Sequence, residues 1–252
     1  MKKPFEIFST LMMFVFGGLF LNACTGSEFT TTSNSTSSSV GSGTLSSKKS
    51  CKAPLTVSAS PKTIEEAVSL INALPKPVTV ACFIASLDRP LSATLTDNPF
   101  SGQPAVGYRS PRIFIIIGAL TISVVPEGLG RDLVEFSYMV SETMSVKAEL
   151  EFPVANILSP SAPYDRVRYN KGTSCGVCHG AEFRYSQVGF AEAFYSKAFQ
   201  PQKFSIVGID TLQDESAKCN AAIEPERCAI ISAFLSNGVI RDYEFPSVIP
   251  FF

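Results

Sequence analysis

Apolar and polar residues alternate along the middle of the chain. Val134, Phe136, Tyr138 and Val140 recur at every second position, and Val146, Ala148, Leu150 and Phe152 stand against Lys147, Glu149 and Glu151. A period of two predicts strands with one face in a core and one toward water. Upstream, Leu120, Ile122 and Val124 alternate with Thr121 and Ser123, Arg112 to Ile117 is a short apolar run closed by Gly118, and Pro126 to Gly130 reads as a turn. The run from Val78 to Ala85, rich in β-branched and apolar residues, also reads as a strand. One helix precedes these strands. Ile64, Ala67, Val68, Ile71 and Leu74 fall on one helical face, with Ser60 as a cap, Pro61 at the first position, and Pro75 and Pro77 as the stop. Successive strands with short turns predict an antiparallel sandwich or barrel over residues 51–160.

The proline-rich stretch from Leu158 to Pro163 marks a boundary. Beyond it the period becomes helical. Phe190, Ala193, Phe194 and Ala198 fit one face of a helix closed by Pro201. Pro225 opens another, with Ala229, Ile230, Ala233 and Phe234 on its inner side and Asn237 and Gly238 at its end. The expected class is α+β and multidomain: an antiparallel β sandwich-like domain, then a small, mainly helical domain over 161–252.

The front of the chain reads differently. Lys2 and Lys3 precede an apolar run from Leu11 to Leu21, which has the length of a signal-peptide core and predicts a leader over 1–23. The alternative, an uncleaved transmembrane helix, is weakened by the short run and by Gly17 and Gly18. Residues 25 to 50 are almost all Ser, Thr, Gly and Asn, so no core can form there. Residues 24–50 are expected to be a flexible tether reaching roughly 30 Å.

Composition narrows the function. A net charge of −1 without a basic block argues against nucleic acid as a partner. The chain has a single histidine, no Trp, and 20 Phe residues that can wall an apolar site. It shows no Ser-His-Asp set, no phosphate-binding glycine loop and no paired-carboxylate signature, so an electron carrier is expected rather than a catalyst.

That single histidine, His179, completes a C-x-x-C-H pattern with Cys175 and Cys178. This is the pattern through which haem c is attached. Two thiols three positions apart reach the two vinyl groups of one porphyrin, and the adjacent imidazole is held as the proximal iron ligand. A thioredoxin-type pair would need a βαβ setting, which the pattern lacks. A structural zinc site would need four ligands, and the other cysteines are widely spread.

Leu21, Asn22, Ala23 and Cys24 resemble the lipobox of bacterial lipoproteins. The resemblance implies cleavage before Cys24, lipidation of its thiol, and a place in the cell envelope. The residue after it, Thr25, leans that place toward the outer membrane, facing the periplasm or the cell surface. Export and haem attachment at C-x-x-C-H require the same compartment. With Cys24, Cys175 and Cys178 assigned, Cys51, Cys82, Cys219 and Cys228 remain. An even remainder in an oxidising compartment predicts two disulfides. Of three pairings, Cys51–Cys82 and Cys219–Cys228 are preferred because each closes a local loop; free buried cysteines are the alternative.

The segment from Tyr169 to Gly180, with Gly172 before the cysteines and Gly180 after the histidine, resembles the haem-binding segment of class I c-type cytochromes. The resemblance implies thioethers at Cys175 and Cys178, a proximal bond at His179, and a cytochrome c-like fold for 161–252. Such cytochromes usually supply a distal methionine downstream of the motif, and here no Met follows Met144. The sixth ligand is left open among Met139, Met144, a Lys or Tyr of the haem domain, a residue of another chain, or none. The expectation is a membrane-anchored monohaem electron carrier with a redox partner protein in the periplasm or at the cell surface. The alternatives are a small-ligand sensor with an open distal site, and a β-domain binding module, with Tyr108 or Tyr164 exposed, beside an accessory haem domain.

Overall fold

The computed structural model describes residues 50–252. The leader, Cys24 and nearly all of the tether lie outside the described residues. Among the described residues no helix is long and apolar enough to cross a membrane.

The chain enters through α1 (Ile64–Ala73) and α2 (Val80–Ser86). A meander follows: β1 (Leu91–Thr96), β2 (Arg112–Ile117), β3 (Leu120–Val124), β4 (Leu133–Met139) and β5 (Met144–Glu151). The apolar run located β2 closely, and the period of two located β3 to β5. The cap of α1 is Thr63 rather than Ser60: its hydroxyl accepts from the Glu66 amide, which satisfies one orphan donor of the first turn. The run from Val78 is helix α2, not a strand. Thr79 caps it through the Cys82 amide, and five of its seven residues are buried, so its apolar character was burial on several sides. Short apolar runs are ambiguous for this reason.

Beyond β5 come α3 (Ala162–Arg166), the small hairpin β6 (Arg168–Tyr169) and β7 (Gly172–Thr173), and α4 (Gly176–His179). They are followed by β8 (Phe183–Tyr185), β9 (Ala193–Lys197), β10 (Ile206–Val207), α5 (Asp210–Lys218), α6 (Pro225–Leu235) and β11 (Ile240–Asp242). The main sheet has nine strands in the order β10-β1-β2-β3-β4-β5-β9-β8, and β11 runs parallel to β1 on the edge that β10 also uses. The helical face expected at Phe190, Ala193, Phe194 and Ala198 is therefore corrected. Residues 193–197 are a strand, because pairing with β5 on one side and β8 on the other overrides a short helical period. Four strands from beyond residue 161 join the sheet begun before it, so the stretches 51–160 and 161–252 share one sheet rather than forming a sandwich and a helical body.

The two faces of the sheet differ. On one, Ile115 stands opposite Ile122, Ile122 opposite Phe136, and Phe136 opposite Ala148. These residues pack in the main core with Ile71 of α1, Phe83 of α2 and Phe234 of α6. The Phe83 ring meets Phe136 edge-on at 6.4 Å and stacks on Phe152 at 6.0 Å. Tyr164, expected as an exposed aromatic, is 2% exposed in this core and donates its hydroxyl to Glu65; Tyr108 is exposed. The Cys51–Cys82 disulfide ties the entering segment to α2, and Cys219–Cys228 ties α5 to α6, the pairing preferred from the sequence.

The other face carries Ser123 opposite Glu135, Glu135 opposite Glu149, and Ser137 opposite Lys147. This face does not meet bulk water as the alternation suggested. The C-terminal residues run over it, pinned by Gln200: its amide nitrogen donates to Pro250 O at 2.9 Å, and Phe252 N donates to Gln200 O at 3.1 Å. Gln200 Nε2 also donates to the carbonyls of Pro246 and Ile249.

Candidate functional site

The β6–β7 hairpin delivers the C-x-x-C-H segment to this second face. The hairpin turns at Asn170, which takes a left-handed conformation that Asn tolerates. Ser174 N then donates to Val167 O at 2.9 Å, and Cys175 N to the Thr173 hydroxyl at 3.1 Å. A single helical turn follows, closed by His179 N to Cys175 O at 2.9 Å and Gly180 N to Gly176 O at 3.0 Å. Gly180 ends it at a φ of 75°, where a side chain would be strained. Glu182 folds back across the turn. Its carboxylate accepts from Thr173 N at 2.6 Å and from the Thr173 hydroxyl.

Cys175, Cys178 and His179 line one cavity of about 430 Å³, in the size range of small-molecule and cofactor sites. Its floor is the polar face of the sheet, including Arg112, Glu135 and Lys147, and its walls include Phe114, Phe199, Phe245 and Phe251. Cys175 and Cys178 are free thiols, in contrast to the four paired cysteines. Burial pushes the Cys175 thiol up to about 11, so it is protonated at neutral pH.

The imidazole of His179 is fixed from two directions. Nδ1 lies 2.7 Å from the carbonyl oxygen of Lys197 in β9. A carbonyl only accepts, so Nδ1 carries the proton and Nε2 keeps its lone pair. Phe199 stacks against the ring at a centroid distance of 5.1 Å. Burial, reinforced by the Lys147 charge, lowers the imidazole pKa to about 4. A neutral ring oriented through Nδ1 by a backbone carbonyl is how proteins present histidine to a metal.

Of the charges on the floor, Arg112 and Glu135 are paired, and Lys147 forms no ion pair among the described residues. Arg112 donates to Ser123 Oγ at 2.7 Å and to Glu135, with its guanidinium 4.8 Å from the Phe114 ring centroid. Arg166 pairs with Glu149 at 3.2 Å; burial, then the facing Glu135, raises the Glu149 carboxyl. Lys147 is 6% exposed and donates to Ser145 Oγ and, at 3.2 Å, to the carbonyl of Lys197.

The two methionines weighed as distal ligands separate here. Met139, at the end of β4, lines the cavity that both thiols share; Met144, at the start of β5, lines a second pocket with Cys178, His179, Gly180, Phe183 and Lys197. Alternation placed Lys147 toward water, so its burial in the site was missed. The roles of Lys197 and Phe199 were missed too, since a backbone carbonyl leaves no mark in a sequence. No family model, curated protein or solved structure matches this chain.

Proposed function

We propose that this chain is a lipid-anchored monohaem c-type cytochrome that passes single electrons between partner proteins of the cell envelope. The observation that carries the reading is the convergence of the Cys175 thiol, the Cys178 thiol and the oriented His179 imidazole on one aromatic-walled cavity. The donor set fits haem c. Two thiols are free for the thioethers, and Nε2 is left for iron by the bond at Nδ1. Bound there, haem would supply reversible one-electron reduction. The chain's own residues bind it covalently, orient its axial ligand, and exclude water with Phe199, Phe245 and Phe251. Met139 is favoured over Met144 as the sixth ligand because both thiols line its cavity, whereas Cys178 and His179 but not Cys175 line the pocket of Met144. Likeness to class I cytochromes is confined to the attachment segment, because the residues that follow it extend a β-sheet. The anchor at Cys24 and the envelope location rest on the lipobox-like residues alone.

The test is production in a host with cytochrome-maturation machinery, followed by intact-mass measurement and a pyridine haemochrome spectrum. One added porphyrin mass that survives denaturation, and is absent from Cys175→Ala/Cys178→Ala, supports the reading. Unmodified wild-type chain removes it. The cavity also suits a second reading, a small-ligand binder with an open sixth position. Carbon monoxide that shifts the reduced spectrum at once favours that reading; an unchanged spectrum favours electron transfer.

A further inference from the structure

We infer that Lys147 sets the reduction potential of this site by placing a buried positive charge against the hydrogen bond that orients His179. The inference rests on the proposed haem attachment at His179. Its geometry is independent of the motif: Lys147 lies 32 positions upstream, on the central strand β5, and reaches the site only through the fold.

The Lys197 carbonyl oxygen accepts two hydrogen bonds, one from His179 Nδ1 at 2.7 Å and one from Lys147 Nζ at 3.2 Å. Sharing an acceptor weakens it toward each donor. The imidazole then gains less imidazolate character through Nδ1–H and binds through Nε2 as a weaker electron donor. The ammonium also acts directly. Lys147 is 6% exposed and forms no ion pair among the described residues, whereas Arg112 and Glu135 neutralise each other. A buried cation beside an axial ligand opposes the added positive charge of ferric iron, and the low dielectric of the interior leaves that opposition poorly screened. Both effects favour the reduced state and raise the potential. Ser145 holds the ammonium in place: its hydroxyl accepts from Nζ, and Ser145 in turn accepts from Ser137 at 2.7 Å.

The experiment compares midpoint potentials of wild type, Lys147→Arg, Lys147→Met and Lys147→Gln, each as the full haem-loaded chain at pH 6.5. At that pH the Lys147 amine, lowered to about 8 by burial, is still charged. Haem content is first equalised by pyridine haemochrome. The expected result is a shift to lower potential in both neutral variants and none in Lys147→Arg. Lys147→Gln retains a donor toward the Lys197 carbonyl and loses only the charge, so it carries the comparison if Lys147→Met fails to fold. Unchanged or higher potentials in the neutral variants at equal haem content overturn the inference. Absence of covalent haem from the wild type overturns the proposed function instead, and is read before any potential is measured.

Discussion

Glu182 and Thr173 form a clasp around the C-x-x-C-H turn: one carboxylate accepts both the backbone N–H and the hydroxyl of the same threonine. The clasp explains a glycine within the C-x-x-C segment. A Cβ on Gly176 would lie 2.8 Å from Glu182 Oε2, and one on Gly172 would lie 2.3 Å from it. A glutamate tip usually swings away at little cost. Here the swing would break two bonds to a charged acceptor, worth about 1.5–3 kcal/mol each. Gly176→Ala is therefore expected to destabilise the turn in wild type, but much less in a Glu182→Ala background. Amide exchange at Thr173 measures it. Equal, additive effects in the two backgrounds would show that Glu182 does not govern this space.

The two disulfides close loops of unequal length, 31 and 9 residues apart in sequence. Chain entropy makes the longer one worth about 4 kcal/mol and the shorter about 3 kcal/mol. Cys51→Ala/Cys82→Ala is expected to cost more than this, because Cys82 is also buried in the core. Cys219→Ala/Cys228→Ala sits beside Arg227, whose guanidinium already bonds Glu215 and Glu224. The Glu215 pair holds α5 to α6 without the crosslink, so its loss is milder. Urea unfolding without reductant ranks the variants. A larger loss for the Cys219/Cys228 pair would contradict the argument.

What could be read in advance followed from local chemistry. The strands β3 to β5 were legible from alternating apolar residues packed against helices, and β2 from a short apolar run closed by Gly118. Helix α6 was legible from Pro225 and from the apolar residues Ile230 and Phe234. The strand β9 was not, since it is only five residues long and one of its two partners, β5, lies about fifty residues upstream, where pairing leaves no local period. The same reason hid half of the site. Cys175, Cys178 and His179 are adjacent in sequence and announce themselves. Lys147, Lys197 and Phe199 meet them only after β5 and β9 pair. Lys147 was also misplaced toward solvent, because alternation identifies the face of a strand but not what later covers that face.

A distal methionine has a spectroscopic signature that separates the two candidates. Met139→Leu keeps the apolar volume of the cavity wall and removes the sulfur. If Met139 ligates, this variant loses the sulfur-to-iron charge-transfer band, binds carbon monoxide, and drops in potential, since Met/His ligation raises it. Met144→Leu, in the neighbouring pocket, is expected to leave all three unchanged. A wild-type band that survives Met139→Leu and vanishes with Met144→Leu would reverse the assignment.

Lys147 also makes the stability of the haem-free protein depend on alkaline pH. Burial lowers its pKa to about 8, against 10.5 in an unfolded chain. Between these values the unfolded chain binds more protons than the folded one, so stability rises with pH across that window. Below about 8 the amine is charged in both states, and the folded protein bears the full cost of burying it. Above 10.5 it is neutral in both, and the cost is gone. A shift of this size corresponds to about 3 kcal/mol. Other lysines and tyrosines titrate in the same range, but they do so equally in Lys147→Met, so the difference between the two proteins isolates the residue. Wild type is expected to gain about 3 kcal/mol on Lys147→Met between pH 7.5 and pH 10.5, measured by urea unfolding at each pH. A constant difference across the range would mean that Lys147 keeps an ordinary pKa in the folded state.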